Sequence, residues 1–138
     1  MFLMSREEVK KELRTINEYL HDCPWMFFEF CRMNAGQVVV AGLVDESSND
    51  YAIDIEFNEP FFVSSLFIWE ADVSEPVIQL ATDEEERALD AVFQIEKGNY
   101  VFKINAAHYK KPPVFIAAKK IICKINNEDP FHKKKKEE

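Results

Sequence analysis

Between Met33 and Glu86 there is no lysine, arginine or histidine. The same stretch holds thirteen carboxylates: Asp45, Glu46, Asp50, Asp54, Glu56, Glu59, Glu70, Asp72, Glu75, Asp83, Glu84, Glu85 and Glu86, a net charge of −13. A surface built from it repels phosphate polymers, which need cations along their track. Glycine is also scarce. Only Gly36, Gly42 and Gly98 occur, too few for a glycine-rich loop whose backbone cradles a phosphate. The three cysteines, Cys23, Cys31 and Cys123, are odd in number and include no C-x-x-C pair. No apolar run reaches membrane-spanning length, and Met1-Phe2-Leu3-Met4 is too short for the hydrophobic core of a signal peptide. A reducing, cytoplasmic setting without membrane contact is the expectation, with the thiols buried as small hydrophobes. The sequence shows no G-x-S-x-G, H-E-x-x-H or phosphate-loop pattern.

What is present is a globular composition, 47% hydrophobic and 30% charged over 138 residues, with twelve Phe and two Trp for the core. This length suits one domain. Residues 1–128 are expected to form it, and 129–138, ending in a lysine run and two glutamates, to be a charged, disordered tail. Lys97 to Lys136 reverses the sign of the first block. Eleven lysines there face only Glu128 and Asp129, a net +9.

Ser5-Arg6-Glu7-Glu8 is a capping box, and Val9, Leu13, Ile16 and Leu20 follow at helical spacing. A helix from Arg6 to about Leu20 is predicted. Trp25 to Met33 fits a strand better than a helix. It would turn through Asn34-Ala35-Gly36, with a left-handed Gly36, into a strand from Gln37 to Val44. Tyr51, Ile53, Ile55 and Phe57 alternate with Ala52, Asp54 and Glu56, one buried and one acidic face. Asn58-Glu59-Pro60 reads as a turn, Phe61 to Glu70 as a strand and Val77 to Ala81 as a short one. Thr82-Asp83-Glu84-Glu85 opens a short helix to about Asp90. Val92 to Glu96 and Tyr100 to Asn105 read as a hairpin about Lys97-Gly98-Asn99, and Val114 to Ile125 as the last strand. The fold class is α+β, mostly antiparallel β. An N-terminal helix packs on a curved sheet or β-sandwich of about eight strands, because the connections are too short for βαβ crossovers.

Several groups are candidates for chemistry. Asp54 and Glu56 point the same way, about 6.5 to 7 Å apart at the backbone, a spacing open to an acid–base pair. Any half-exposed strand shows that spacing. Asp45 to Asp50 offers oxygen ligands but lacks the glycine and distal glutamate of a calcium loop. His21-Asp22-Cys23 has triad residue types, yet neighbours in sequence rarely converge on one point. Neither metal nor cofactor is indicated. Lysines flanking Tyr100, Phe102 and Tyr109 resemble a single-strand binding arrangement, but residues 1–128 carry −9 and argue against nucleic acid. The aromatics, Trp25, Phe27, Phe28, Phe30, Phe61, Phe62, Phe67 and Trp69, fit a packed core and, as an alternative, the wall of a barrel holding a small apolar ligand.

The strongest expectation is therefore a non-enzymatic interaction protein. Its acidic surface, Asp45, Glu46, Asp50, Asp54, Glu56, Glu59, Glu70 and Asp72, would bind a basic partner protein. In charge and size alone it is comparable to small acidic inhibitors of cationic nucleases, such as immunity proteins of bacterial toxin systems. A carboxylate-dependent enzyme is the third reading. The competing account of the acids is structural: Asp54 and Glu56 would face lysines of the last strands.

Overall fold

The computed structural model describes residues 3–45 and 50–131. Helix α1 (Arg6–His21) starts at the capping box: Ser5 Oγ accepts from Glu8 N–H, and Glu8 Oε1 accepts from Ser5 N–H. That bond, made first with the Ser5 backbone, holds the Glu8 carboxyl below its usual range. Val9, Leu13, Ile16 and Leu20 are all buried, so the predicted stripe is the face that lies on the sheet.

Seven antiparallel strands follow: β1 (Phe27–Met33), β2 (Gln37–Leu43), β3 (Tyr51–Ser64), β4 (Ile68–Glu70), β5 (Ile78–Leu80), β6 (Tyr100–Ile104) and β7 (Val114–Ile125). Helix α2 (Asp83–Phe93) lies between β5 and β6. The sheet order is β4-β1-β2-β3-β7-β6-β5, and the sheet curls into a half-barrel around α1. Phe28, Val38, Val40, Ile53, Ile55, Phe57, Trp69, Phe102, Ile104, Ile116 and Ile121 point inward and form one core with the helix stripe. The aromatics fill it: Phe57 and Phe102 meet edge to face at 5.3 Å, and Phe28 and Trp69 stack at 6.0 Å. Gly42 is required by this packing, since a Cβ there would lie 2.5 Å from Met26 Sδ and 2.7 Å from Ile53 Cγ2. No helix among the described residues is long and apolar enough to cross a membrane.

The structure departs from the sequence reading at several points, each with a local cause. Asn58-Glu59-Pro60 does not turn. β3 runs through it, with Glu59 at φ 52° and a register shift against β7 between Pro60 and Phe62. Pro60 sits at that bulge, where a ladder donor is dispensable. The strand expected from Phe61 to Glu70 breaks after Ser64 and resumes as β4. Gly36 is not left-handed. Asn34 Oδ1 accepts from the N–H groups of Gly36 and Gln37, and this side-chain turn replaces it. The hairpin from Val92 is absent, because α2 continues to Phe93 and ends in a left-handed Gln94, so β6 pairs with β5 and β7. Phe93 therefore stacks on Phe62 at 4.6 Å outside the core. Seven strands result instead of about eight. Only Cys23 among the thiols is buried; Cys31 is exposed and Cys123 half-buried. Phe131 still packs against the core, and residues 132–138 of the expected tail lie outside the described residues.

Candidate acidic interaction surface

The face of the sheet turned away from α1 is organised by strand register. One row reads Ile68, Glu29, Ala41, Asp54, Lys124 across β4, β1, β2, β3 and β7. The next reads Glu70, Phe27, Leu43, Tyr51. A third reads Arg32, Val39, Glu56, Ile122. Val39, Ala41 and Leu43 form a buried apolar floor along β2, and the longer side chains of β1 and β3 flank it.

Asp54 and Glu56 do share this face, as their spacing predicts. Tyr51 joins them, against expectation. A register shift between Gly42 and Leu43 turns it outward, and its hydroxyl donates to Glu29 Oε2 at 2.9 Å. The hydrogen bond to that carboxylate, then partial burial and the negative charges of Glu29, Cys31 and Asp54, push the Tyr51 phenol up to about 12. Partial burial and the Asp54 carboxylate likewise raise the Cys31 thiol. Asp54 Oδ2 accepts from Asn126 Nδ2 at 3.4 Å, while its Oδ1 is shielded and has no partner among the described residues.

The lysines of β7 neutralise part of the acidic block. Lys124 Nζ lies 3.6 Å from Glu56 Oε2, and Gln37 Nε2 donates to Glu56 Oε1 at 2.9 Å. Lys119 lies 4.0 Å from Glu59 and 3.4 Å from Glu96. Glu56–Lys124 is a pair that the structural account of the acids expects, whereas Asp54, opposite Lys124 in register, forms none of the ion pairs among the described residues. Glu29, Asp54 and Glu70 take no ion pair among the described residues. Asp45 and Asp50 are exposed where the β2–β3 connection meets the same rows, and Glu46 lies outside the described residues. Asp72 belongs elsewhere, in the link from β4 to β5. There its carboxylate accepts from Ser74 Oγ at 2.6 Å and Ser74 N–H at 3.0 Å, which holds it below its usual range.

Glu29 lies outside the acidic block, behind Arg32, so charge counting does not find it. Its alternation with Phe28 and Phe30 is the one signal that places it outward.

The other candidates do not assemble. His21 and Asp22 pair at 3.5 Å in the open, at the C-terminal end of α1. Cys23 turns inward and donates its Sγ–H to Tyr19 O at 3.4 Å, its thiol pushed up to about 11 by burial. No three of the His, Cys, Asp and Glu side chains among the described residues are grouped to hold a metal. Tyr100 and Phe102 are part of the interior, with the Tyr100 hydroxyl on Met4 O, so they offer no stacking platform beside Lys110 and Lys111. A groove of about 610 Å³ lies between α1 and the 73–77 segment, lined by Arg14, Asn17, His21, Glu75 and Pro76 among others. No family model, curated protein or solved structure matches the chain.

Proposed function

We propose that this chain is a non-enzymatic interaction protein that presents the uncovered part of its outer sheet face to a basic partner protein. The observation that carries the proposal is the row geometry. Glu29, Asp54 and Glu70 share four adjacent strands with no ion pair among the described residues, while Lys124 and Lys119 are engaged by Glu56, Glu59 and Glu96. Strands lie about 4.8 Å apart, so Glu29 and Asp54 are about 10 Å from one another across β2. That is close to the Debye length at physiological salt, so the carboxylates act on an approaching cation as one field. Such a field governs encounter rate and selectivity more than final affinity.

The test is capture of partners from cell extract at low and at high salt, with wild-type chain and with Glu29→Lys combined with Asp54→Lys. Proteins rich in lysine and arginine should be retained by the wild type at low salt only. Association should slow at least tenfold for the double variant. Retention indifferent to both salt and substitution removes the proposal.

A further inference from the structure

The half-barrel leaves several stretches of strand edge, and the chain treats them differently. At β5, Asn17 of α1 acts as a substitute strand. Its Nδ2–H donates to Ile78 O at 2.8 Å and its Oδ1 accepts from Ile78 N–H at 3.1 Å. Along β7 beyond Lys119, where β6 no longer pairs, α1 and its approach supply acceptors. Ile121 N–H reaches Met4 Sδ at 3.5 Å, and Cys123 N–H reaches Glu12 Oε2 at 2.7 Å. Side chains thus take the outward backbone groups of Ile78, Ile121 and Cys123 at these two edges.

β4 is different. Ala71 N–H donates to Met26 O across from β1, whereas Glu70 O accepts from Ala107 N–H on the opposite side. Strand alternation then turns the N–H and C=O of Ile68 away from β1. Among the described residues no bond reaches them. The flank is apolar and bare: Phe67 is 93% exposed and Ile68 40%. No lysine, arginine or proline occurs from Phe61 to Glu75 to guard this edge, which is three residues long and capped at Glu70 by Ala107.

We infer that this edge of β4 is a strand-addition site, and that the basic partner engages it with a short extended segment alternating lysine or arginine with apolar residues. The inference rests on the proposed function and names how the same surface takes its partner. In antiparallel addition, the partner residue opposite Ile68 exchanges both backbone bonds with it and carries its side chain on the outer face. Beside it lie Glu29, paired with Ile68 across β1, and Glu70 two residues along. A cation belongs at that position. The intervening residues point toward the side of Trp69 and are apolar. A second copy of this chain would bring Glu29 and Glu70 against their own equivalents, in a molecule of net charge −8, and is disfavoured.

The probe is a blocked heptapeptide alternating lysine and valine, compared with two N-methylated forms, one methylated at its lysines and one at its valines. The plain peptide should bind, and more weakly in salt. Methylation at lysine should weaken binding at least tenfold, because those amides face β4; methylation at valine should leave it nearly unchanged. Ile68→Pro, which removes a donor that the fold does not use, should match lysine methylation, and the peptides test the same edge on the unaltered chain. Equal, salt-sensitive binding of all three peptides would overturn the edge while leaving the acidic face in place. Binding by none overturns it too, and the capture experiment then judges the acidic face separately. Concentration-dependent dimerisation abolished by Ile68→Pro would give the edge to a second copy and overturn the assignment.

Discussion

The outer face of the sheet is finished in two ways. Over β6 and the first half of β7, α2 covers it. Ala81, Val101 and Ala117 are buried there beneath Phe62, Leu89, Ile95 and Phe115, and Lys103 Nζ holds Glu85 Oε1 at 2.9 Å. Among the described residues no helix lies over β1, β2 and β3, and Val39, Ala41 and Leu43 are flanked by side chains of adjacent strands. Both floors are apolar and buried. One is sealed by a separate element with its charge paired. The other is sealed by Phe27, Glu29, Tyr51 and Asp54, whose carboxylates are directed outward with no ion pair among the described residues. The comparison teaches that exposed charge here follows from how a floor is covered and not from how many acids the sequence supplies. α2 opens with four acids, and its innermost one, Glu85, is neutralised.

The largest effect should come from unsealing the covered half. Phe62→Ala removes the ring that stacks on Phe93 at an interplanar angle of 13°. Phe62 is half-buried, so the loss should be about 2 kcal/mol, below the range for fully buried phenylalanine. Because α2 buries no residue completely, its amides should lose hydrogen-exchange protection before those of β3. Denaturant unfolding and amide exchange together measure this. Protection of α2 equal to wild type would show that the helix is held by something other than this contact.

A smaller effect should separate the halves by pH. Burial raises the Glu85 carboxyl, but the Thr82 amide and the Lys103 ammonium outweigh it, and the group lies below its ordinary 4.5. A depressed carboxyl stabilises the fold fully above the unfolded value and loses that contribution as pH falls through the folded one. α2 should therefore loosen below about pH 4.5. Lys103→Met, removing a lysine that is 14% exposed, should cost about 1 kcal/mol at neutral pH and flatten that acid dependence. An unchanged acid profile for the variant would assign the shift to the Thr82 cap alone.

How much of this was legible follows the range of each signal. Both capping boxes, the α1 stripe and the limits of β7 are local patterns, and they are found where the sequence puts them. The end of α2 was obscured because Phe93 and Ile95 alternate as in a strand, while the spacing of four between Leu89 and Phe93 that suits a helix is equally present. Gly98 does take a positive φ of 97°, but its turn leads from a helix and not from a strand. The acidic face was half legible. Alternation placed Asp54 and Glu56 outward, yet which acids stay unpaired depends on register with β7, a partner about seventy residues away. Three register shifts, near Cys31, Gly42 and Pro60, are marked in the sequence by no more than a glycine and a proline, and the one at Gly42 decides on which face Tyr51 stands.

Tyr51 also supplies the finest test of the comparison. Its phenol is raised from 10.0 to about 12, so the neutral form is favoured by folding. Stability from this group is complete below pH 10 and is lost as pH rises toward 12, the opposite direction to Glu85. Tyr51→Phe should cost about 1 kcal/mol at neutral pH, the net worth of a partly exposed hydrogen bond, and should remove that share of the alkaline loss. It leaves every carboxylate of the bare half in place. Binding of the lysine–valine peptide should then stay within about twofold of wild type, whereas Glu29→Gln, which preserves shape and removes charge, should weaken it several-fold with a shallower salt dependence. If Tyr51→Phe weakens binding as much as Glu29→Gln, the phenol contacts the partner itself, and the bare half recognises more than charge.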